Sequence, residues 1–145
     1  MKLRPACATA TLALALITGT ARADIVTVHV YSFDFSVNPA GGPVVDAVVN
    51  VGDTVRWVFD DAFHSTTAVE GIPEQWDSGI VFAPGVIFDH VFTVPGVWHY
   101  YCLPHGGDNG DGTASGMAGT VTVVPAPAGA ALLGLAGLFA GRRRR

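Results

Sequence analysis

One cysteine, one histidine and one methionine stand close together in YYCLPHGGDNGDGTASGMAGTVTV, residues 100–123. His105 follows Cys102 by three positions, and eleven residues rich in glycine and acids separate His105 from Met117. A second histidine, His64, comes shortly after the strand-like segment TVRWVF. Thiolate, imidazole and thioether groups are soft or borderline metal ligands. These residue types therefore point to a transition-metal site.

The set of donor groups narrows the choice of metal. One thiolate and two imidazoles in a plane, with a weak axial thioether, form the ligand set of blue copper sites. Zinc sites usually prefer more thiolate or carboxylate ligands in a tetrahedral shell, and iron–sulfur clusters need more cysteines. We therefore expect one copper ion, with His64, Cys102, His105 and Met117 as its ligands.

Short β-strands are the elements that must position these residues. Five runs alternate apolar and polar residues and are separated by Pro- and Gly-containing turns: DIVTVHVYSFDF, DTVRWVFD, VIFDHVFTV, GVWHYYC and GTVTVV. Strands at this spacing favour an antiparallel sandwich or barrel, with at most one helical turn in GIPEQWDSG. Period two places Trp98, Tyr100 and Cys102 on one face. All four candidate ligands then lie at strand ends or in adjoining loops, where a rigid sandwich positions functional groups.

The first 23 residues have the layout of a secretory signal peptide. A basic start precedes a short apolar run, and Ala-Arg-Ala forms a small-x-small cleavage site before Asp24. The run is shorter than the roughly 20 residues that span a membrane. We therefore expect export and cleavage, which removes Cys7 and leaves Cys102 as the single cysteine of the mature domain. No disulfide can form within that domain, although an exported compartment favours disulfides.

The chain ends in VPAPAGAALLGLAGLFAGRRRR, a proline-containing stretch, an apolar run and four arginines. This layout resembles the PEP-CTERM class of bacterial sorting signals, with Ala126 in place of the acidic residue of that class. The apolar run is marginal for a bilayer span, and the arginines would hold its end on the cytoplasmic side. We expect residues 126–145 to be a sorting or transmembrane anchor segment and the only part that contacts a membrane. Cleavage of this tail and its retention as an anchor both stay open.

The remaining residues, 24–125, are enough for one domain with a core of two packed sheets. They contain all twelve acidic residues of the chain and one basic residue, Arg56, which gives a formal charge of about −11. So few cations exclude a nucleic-acid partner. We expect a monomeric domain, periplasmic or held at the cell surface, whose redox partner proteins have a basic docking face.

Several stretches of this domain resemble the cupredoxins, specifically the plastocyanin, pseudoazurin and halocyanin branch. VGDTVRWVFDDAFHST is similar to the segment that carries the first histidine of that family. WDSGIVFAPGVIFDHVFTVPGVWHYYCLPH follows its Asp-Ser-Gly, Pro-Gly, aromatic-strand and Cys-x-x-His pattern, and GMAGTVTV resembles its methionine and closing strand. The resemblance covers most of residues 24–124. It implies a Greek-key β-sandwich with a type 1 copper ion bound by His64, Cys102, His105 and Met117.

The chain departs from the family pattern at two places. The segment between His105 and Met117, GGDNGDGTASG, is longer than usual and has the composition of a flexible loop. Its acids lack the spacing of an EF-hand calcium loop, so we expect it to be solvated. Asp60 stands where the family usually has an asparagine that ties the ligand loops together, and its charge would favour oxidised copper.

A single copper site of this type implies one-electron transfer and no enzymatic activity. A multicopper oxidase or nitrite reductase would need further copper ions and His-x-His pairs, and the sequence contains no such pair. We expect Cys102 to be the redox-active ligand, His105 the point of electron entry and exit, and Met117 the ligand that tunes the potential. His29, His90 and His99 are expected to be ordinary, partly exposed histidines. The alternative is a cupredoxin-like surface or structural module, copper-binding or metal-free, without an electron-carrier role.

Overall fold

The structure is a computed structural model and describes residues 22–126. The expected signal peptide and C-terminal segment therefore lie outside the described residues, except for Arg22, Ala23 and Ala126, which are exposed. Among residues 22–126 there is no helix with the length and hydropathy of a membrane span.

Eight strands form two four-stranded sheets. The strands are β1 (Ile25–Tyr31), β2 (Asp34–Ser36), β3 (Ala47–Asn50), β4 (Thr54–Phe59), β5 (Thr67–Ala68), β6 (Ile87–Val91), β7 (Gly96–Asp108) and β8 (Ala114–Val124). The first sheet has the order β2-β1-β4-β6 and the second the order β3-β8-β7-β5. The expected all-β sandwich is confirmed, and GIPEQWDSG, like the rest of residues 22–126, contains no helix.

The strand pairing is mixed, whereas the alternating runs of the sequence predicted antiparallel sheets. β1 pairs with β4 and β3 pairs with β8 in parallel, and the other pairs are antiparallel. Parallel neighbours need a crossover instead of a hairpin. The chain provides one here because it leaves the first sheet after β2, adds β3 to the second sheet and then returns as β4.

β4 shows how alternation builds the core. Val55, Trp57 and Phe59 are fully buried, while the residues between them stay partly exposed. The Trp57 ring packs edge-on against Tyr100 of β7, and the ring centroids are 5.6 Å apart. Large aromatic side chains bury ~150–250 Å² each. This aromatic contact therefore joins the two sheets at Tyr100, two residues before Cys102.

β7 carries the cysteine into this core. Tyr100 and Cys102 are buried and Trp98 packs against the core from the same face, as the alternation predicts. The pairing of β7 with β8 shifts register between Tyr101 and Gly106. Such an irregularity re-aims side chains locally, and it lies at the segment that contains the Cys-x-x-His motif.

Candidate metal centre

Three of the four candidate ligands come together. The sulfur of Cys102 lies 3.5 Å from Nδ1 of His64 and 3.4 Å from Nδ1 of His105. The two imidazole rings are tilted by 54°, and their centroids are 4.9 Å apart. All three donor atoms lie within 4.8 Å of one another. Two nitrogens and a sulfur that converge in this way can share one metal ion, and their chemistry suits copper.

Ser65 ties the loop of the first histidine to the strand of the cysteine. Its N–H donates to the Cys102 sulfur over 3.4 Å, and its Oγ accepts the N–H of Leu103 over 2.8 Å. Burial raises the pKa of the Cys102 thiol, and the Ser65 N–H offsets this only in part. A thiolate at this position therefore needs a cation beside it, and a bound metal ion supplies that charge.

His64 is held at both ring nitrogens. Its Nδ1 faces Cys102, and its Nε2 lies 2.7 Å from Oδ1 of Asp61. The backbone is fixed as well, because the His64 carbonyl accepts the N–H of Val81 over 2.7 Å. Burial lowers the pKa of His64, the Asp61 carboxylate opposes that shift, and His105 adds to it. The neutral imidazole is the form that binds metals.

His105 forms the solvent-facing side of the cluster. It is half-buried and follows two exposed residues, Leu103 and Pro104. Its ring meets the ring of Phe33 nearly at right angles, with the centroids 5.0 Å apart. Phe33 is itself 65% exposed. The exposed Phe33 ring therefore forms an apolar rim beside His105 at the surface.

The long segment between His105 and Met117 is a β-hairpin, which corrects the expectation of a flexible loop. β7 and β8 resume their pairing at Gly106 and Gly116. An added Cβ on Gly106 would lie 2.6 Å from the Met117 carbonyl oxygen, so the two backbones are close. The Met117 side chain is buried in the core cluster that also contains Cys102. The paired stem thus brings the end of the Cys-x-x-His motif beside Met117 despite the inserted residues.

The acids of this hairpin accept hydrogen bonds from the hairpin itself and from a neighbouring segment. Asp108 accepts the backbone N–H of Glu70 over 2.7 Å, which joins the hairpin to the segment after β5. Asp111 accepts the N–H of Thr113 over 3.0 Å, and the Asn109 N–H closes the turn onto the Thr113 carbonyl. The composition suggested a solvated loop, but short polar side chains stabilise a tight turn by these local bonds.

Replacing Gly116 by alanine is expected to open the stem. Gly116 has φ +74°, and an added Cβ would lie 2.6 Å from the carbonyl oxygen of His105. Backbone strain and this overlap together should cost about 3 kcal/mol of unfolding free energy. Gly112→Ala is the matched control, because Gly112 has φ +84° but open space around it, so only about 1 kcal/mol is expected. Urea unfolding of the metal-free protein measures both, and equal losses would contradict the role of the close approach.

The Asp60 side chain contacts His29, in place of the tie between ligand loops that the resemblance implies for the residue usually found at this position. Its Oδ2 lies 2.8 Å from Nδ1 of His29 on the outer face of the first sheet. Alternation explains this placement: Phe59 points into the core, so the next side chain points outward. Ser65 makes the tie between the loops instead.

The remaining histidines lie apart from the cluster. His29 is bound to Asp60, and the ring of His90 lies 3.1 Å from the buried carboxylate of Glu74. His99 is half-buried in β7, out of phase with the buried residues of that strand. The expectation that these three are partly exposed is confirmed.

Three neighbours of the cluster were not identified from the sequence: Phe33, Asp61 and Ser65. The last two lie within three positions of His64, and this proximity was the available signal. Phe33 is far from His105 in the sequence, and only the packing of the β1–β2 turn brings them together.

Two plastocyanins are similar to the chain in sequence. The plastocyanin of Prochlorothrix hollandica is 31% identical over 81 residues, which cover 52% of this chain and 56% of that protein. The chloroplastic plastocyanin of Hordeum vulgare is 37% identical over 91 residues, covering 62% of this chain and 51% of that protein. The chain thus spans about half the length of these relatives. No family model matches the chain.

A solved structure has the same fold. The Cu-containing nitrite reductase from Thermus scotoductus aligns with a TM-score of 0.50 and 22% identity, covering 70% of this chain and 22% of that one. At this identity the similarity concerns the fold alone.

Proposed function

We propose that this chain is an exported, mononuclear type 1 copper protein of the cupredoxin family that carries single electrons. The observation behind this proposal is that both His64 and His105 direct Nδ1 at the buried sulfur of Cys102. Similarity to two plastocyanins supports it. Within residues 22–126 these three residues form the one cluster of potential histidine, cysteine and carboxylate metal ligands. The proposal therefore includes one metal ion; the absence of enzymatic activity is part of the proposal and does not follow from this cluster.

Each ligand has a distinct role. His64, Cys102 and His105 would hold the ion through two imidazole nitrogens and a thiolate, and Met117 would supply a fourth, weaker thioether donor. The bound copper would supply the one-electron chemistry by alternating between two oxidation states. The protein's part is to hold the ligands: Ser65 joins the two ligand segments, and the buried strands beneath them keep the cysteine in place.

Electrons would enter and leave through His105. Its ring is half-buried and lies beside the exposed ring of Phe33. A second exposed aromatic pair, Phe63 and Phe82, packs edge-on with centroids 5.3 Å apart. An exposed apolar surface of this kind is suited to brief contact with a redox partner.

Export with cleavage before Asp24 is part of the proposal, and the start of the fold supports it. Asp24 donates its N–H to the buried Asp53 over 2.8 Å and accepts the N–H of Thr54 over 2.9 Å. Arg22 and Ala23 are exposed ahead of β1. Backbone donation from Asp24, aided by hydrogen bonds from Asn50, outweighs burial and lowers the pKa of Asp53, so the charged form of this carboxylate is favoured. Cleavage at this site would place the new α-ammonium group against it.

The rest of the proposed organisation follows the sequence. Residues 24–125 form the copper domain, and residues 126–145 sort the protein or anchor it to a membrane. The location is then the periplasm or the cell surface, and the domain is a monomer.

Copper loading of the full chain tests the proposed function. One equivalent of Cu(II) should give an intense blue colour, which a mild reductant removes and an oxidant restores. In a titration with Cu(II), the visible band should stop increasing at one copper per chain. A chain that stays colourless with bound copper, or that binds no copper, would favour the structural-module alternative.

The change Met117→Leu tests the axial ligand. Leucine keeps the buried volume, so the fold should lose less than about 1.5 kcal/mol. Loss of a weak donor destabilises Cu(II) more than Cu(I), so the reduction potential should rise while the blue colour remains. A tenfold difference in the two affinities corresponds to ~59 mV, and we expect a rise of that order. Voltammetry measures it, and an unchanged potential and spectrum would make Met117 a core residue only.

A further inference from the structure

The carboxylate of Asp61 joins His64 to the turn between β1 and β2. Its Oδ1 lies 2.7 Å from Nε2 of His64, and its Oδ2 accepts the backbone N–H of Ser32 over 2.8 Å. The other nitrogen of the same ring, Nδ1, faces the sulfur of Cys102. The Asp61 side chain therefore lies on the side of the His64 imidazole opposite Cys102.

This contact decides which ring nitrogen of His64 carries the proton. A neutral imidazole has one N–H group, and an ionised carboxylate can only accept a hydrogen bond. A carboxylate oxygen 2.7 Å from an unprotonated ring nitrogen would be repelled by it, so this distance favours a proton on Nε2, toward Asp61, and leaves the lone pair of Nδ1 free for the site. Metal-binding histidines commonly donate their second N–H to a carboxylate, which fixes the ring and strengthens its donation to the metal.

The same carboxylate also holds a strained turn. Ser32 has φ 49°, a left-handed conformation that is uncommon for residues other than glycine. The next residue, Phe33, packs its ring against His105. The bond from Ser32 to Asp61 thus stabilises the turn that contacts one histidine, while Asp61 itself contacts the other.

We propose that Asp61 is a positioning residue of the metal centre: it fixes the Nε2–H tautomer of His64 and strengthens that ligand toward the oxidised ion. The proposal rests on the proposed function insofar as the ion is copper. The tautomer itself is a property of the metal-free chain and can be tested separately.

An asparagine cannot replace this carboxylate, although it has the same shape. One oxygen of Asp61 faces Nε2 of His64 at 2.7 Å, and the other accepts the backbone N–H of Ser32. An amide has one acceptor oxygen and one donor NH₂ group. If its oxygen faces His64, its NH₂ meets the N–H of Ser32. If its oxygen faces Ser32, its NH₂ favours the tautomer of His64 whose Nδ1 is blocked by a proton.

The first test is Asp61→Asn in the full chain, loaded with copper. We expect 10–100-fold weaker Cu(II) binding, in the usual range for a lost partner of a metal-binding histidine. The reduction potential should rise, by ~59 mV for each tenfold loss of Cu(II) affinity beyond that of Cu(I). Asp60→Asn is the matched control: it removes the same charge one residue away, at a carboxylate bound to His29 and not to a ligand.

The second test needs no metal. Nitrogen NMR of the metal-free full chain at about pH 8, where imidazoles are neutral, reports the tautomer of His64. Wild type and Asp60→Asn should show the proton on Nε2, and Asp61→Asn should lose this preference. An unchanged tautomer together with unchanged copper affinity and potential in Asp61→Asn would overturn the proposal, and so would equal shifts in Asp60→Asn. A wild-type chain that gives no blue copper form would instead overturn the proposed function, and the tautomer measurement would still decide the role of Asp61.

Discussion

Cys102→Ser is expected to abolish the blue colour of the copper-loaded protein and to leave the chain folded. The colour of a type 1 site arises from charge transfer between a thiolate and copper, and a serine hydroxyl cannot supply it. Serine is close to cysteine in size, and the N–H of Ser65, which now donates to the sulfur, can donate to the new oxygen. The cost in unfolding free energy should stay below about 3 kcal/mol, the upper end of the range for a buried polar group that is left without a partner.

The chain contains its own control for this experiment. Cys7→Ser changes the only other cysteine, which lies in the expected signal peptide, and should leave the colour unaltered. Visible absorption at equal copper content, with circular dichroism to verify folding, compares the two variants. A blue Cys102→Ser protein would mean that the ligand assignment is wrong.

Electron transfer with a basic partner is expected to slow about tenfold or more as salt rises from 0.01 to 0.1 M. A formal charge of about −11 on residues 24–125 attracts a partner of opposite charge. The Debye length falls from ~30 Å to ~10 Å over this range, and electrostatic steering raises association rates 10–10³-fold. Stopped-flow reduction by a basic cytochrome measures the effect. A rate that stays flat or rises with salt would favour docking through the apolar rim of His105 alone.

The structure indicates which acid should matter most. Burial raises the pKa of Tyr101, the residue before Cys102, and the nearby charges of Asp108, Glu70 and Asp77 add to this shift. Asp108 holds the hairpin through a hydrogen bond, so reversing its charge would also disturb the fold. Glu70→Lys is the cleaner change, and it should slow association at low salt and have little effect at high salt. Asp24→Lys is the control and should have a smaller effect. It makes an equal change of charge just before β1, whereas the other end of β1 leads to Phe33 beside His105.

The sequence predicted the parts of the fold whose side chains alternate strictly. β4 and the first half of β7 were identified because their apolar residues recur every second position over six or more residues. β3 and β5 were missed because they have four and two residues, and strands this short exist only through pairing with β8 and β7. The parallel pairs depend on how the chain crosses between sheets, which no local pattern records.

The candidate site divides in the same way. The Cys-x-x-His spacing and the histidine after TVRWVF allowed three candidate ligands to be predicted, because strand ends place such residues near one another. The side chains that contact these ligands could not be predicted from the sequence. Asp61 and Phe33 act through contacts with a turn formed by distant residues, and the hairpin was hidden because its glycines and acids have the composition of an unstructured loop.

Because of the hairpin stem, the spatial separation of His105 and Met117 does not depend on how many residues lie between them in the sequence. Because Gly106 and Gly116 pair directly after His105 and before Met117, residues 109–113 at the tip are remote from the backbone contacts that set this spacing. The tip is therefore a natural grafting site. A peptide that binds an electrode, or a cysteine for surface attachment, could be inserted there and would attach the protein to a surface through the hairpin that follows the half-buried His105. Natural variation in the length of this segment would likewise be tolerated, so related chains could acquire new docking specificities by exchanging a tip and leaving the metal site alone.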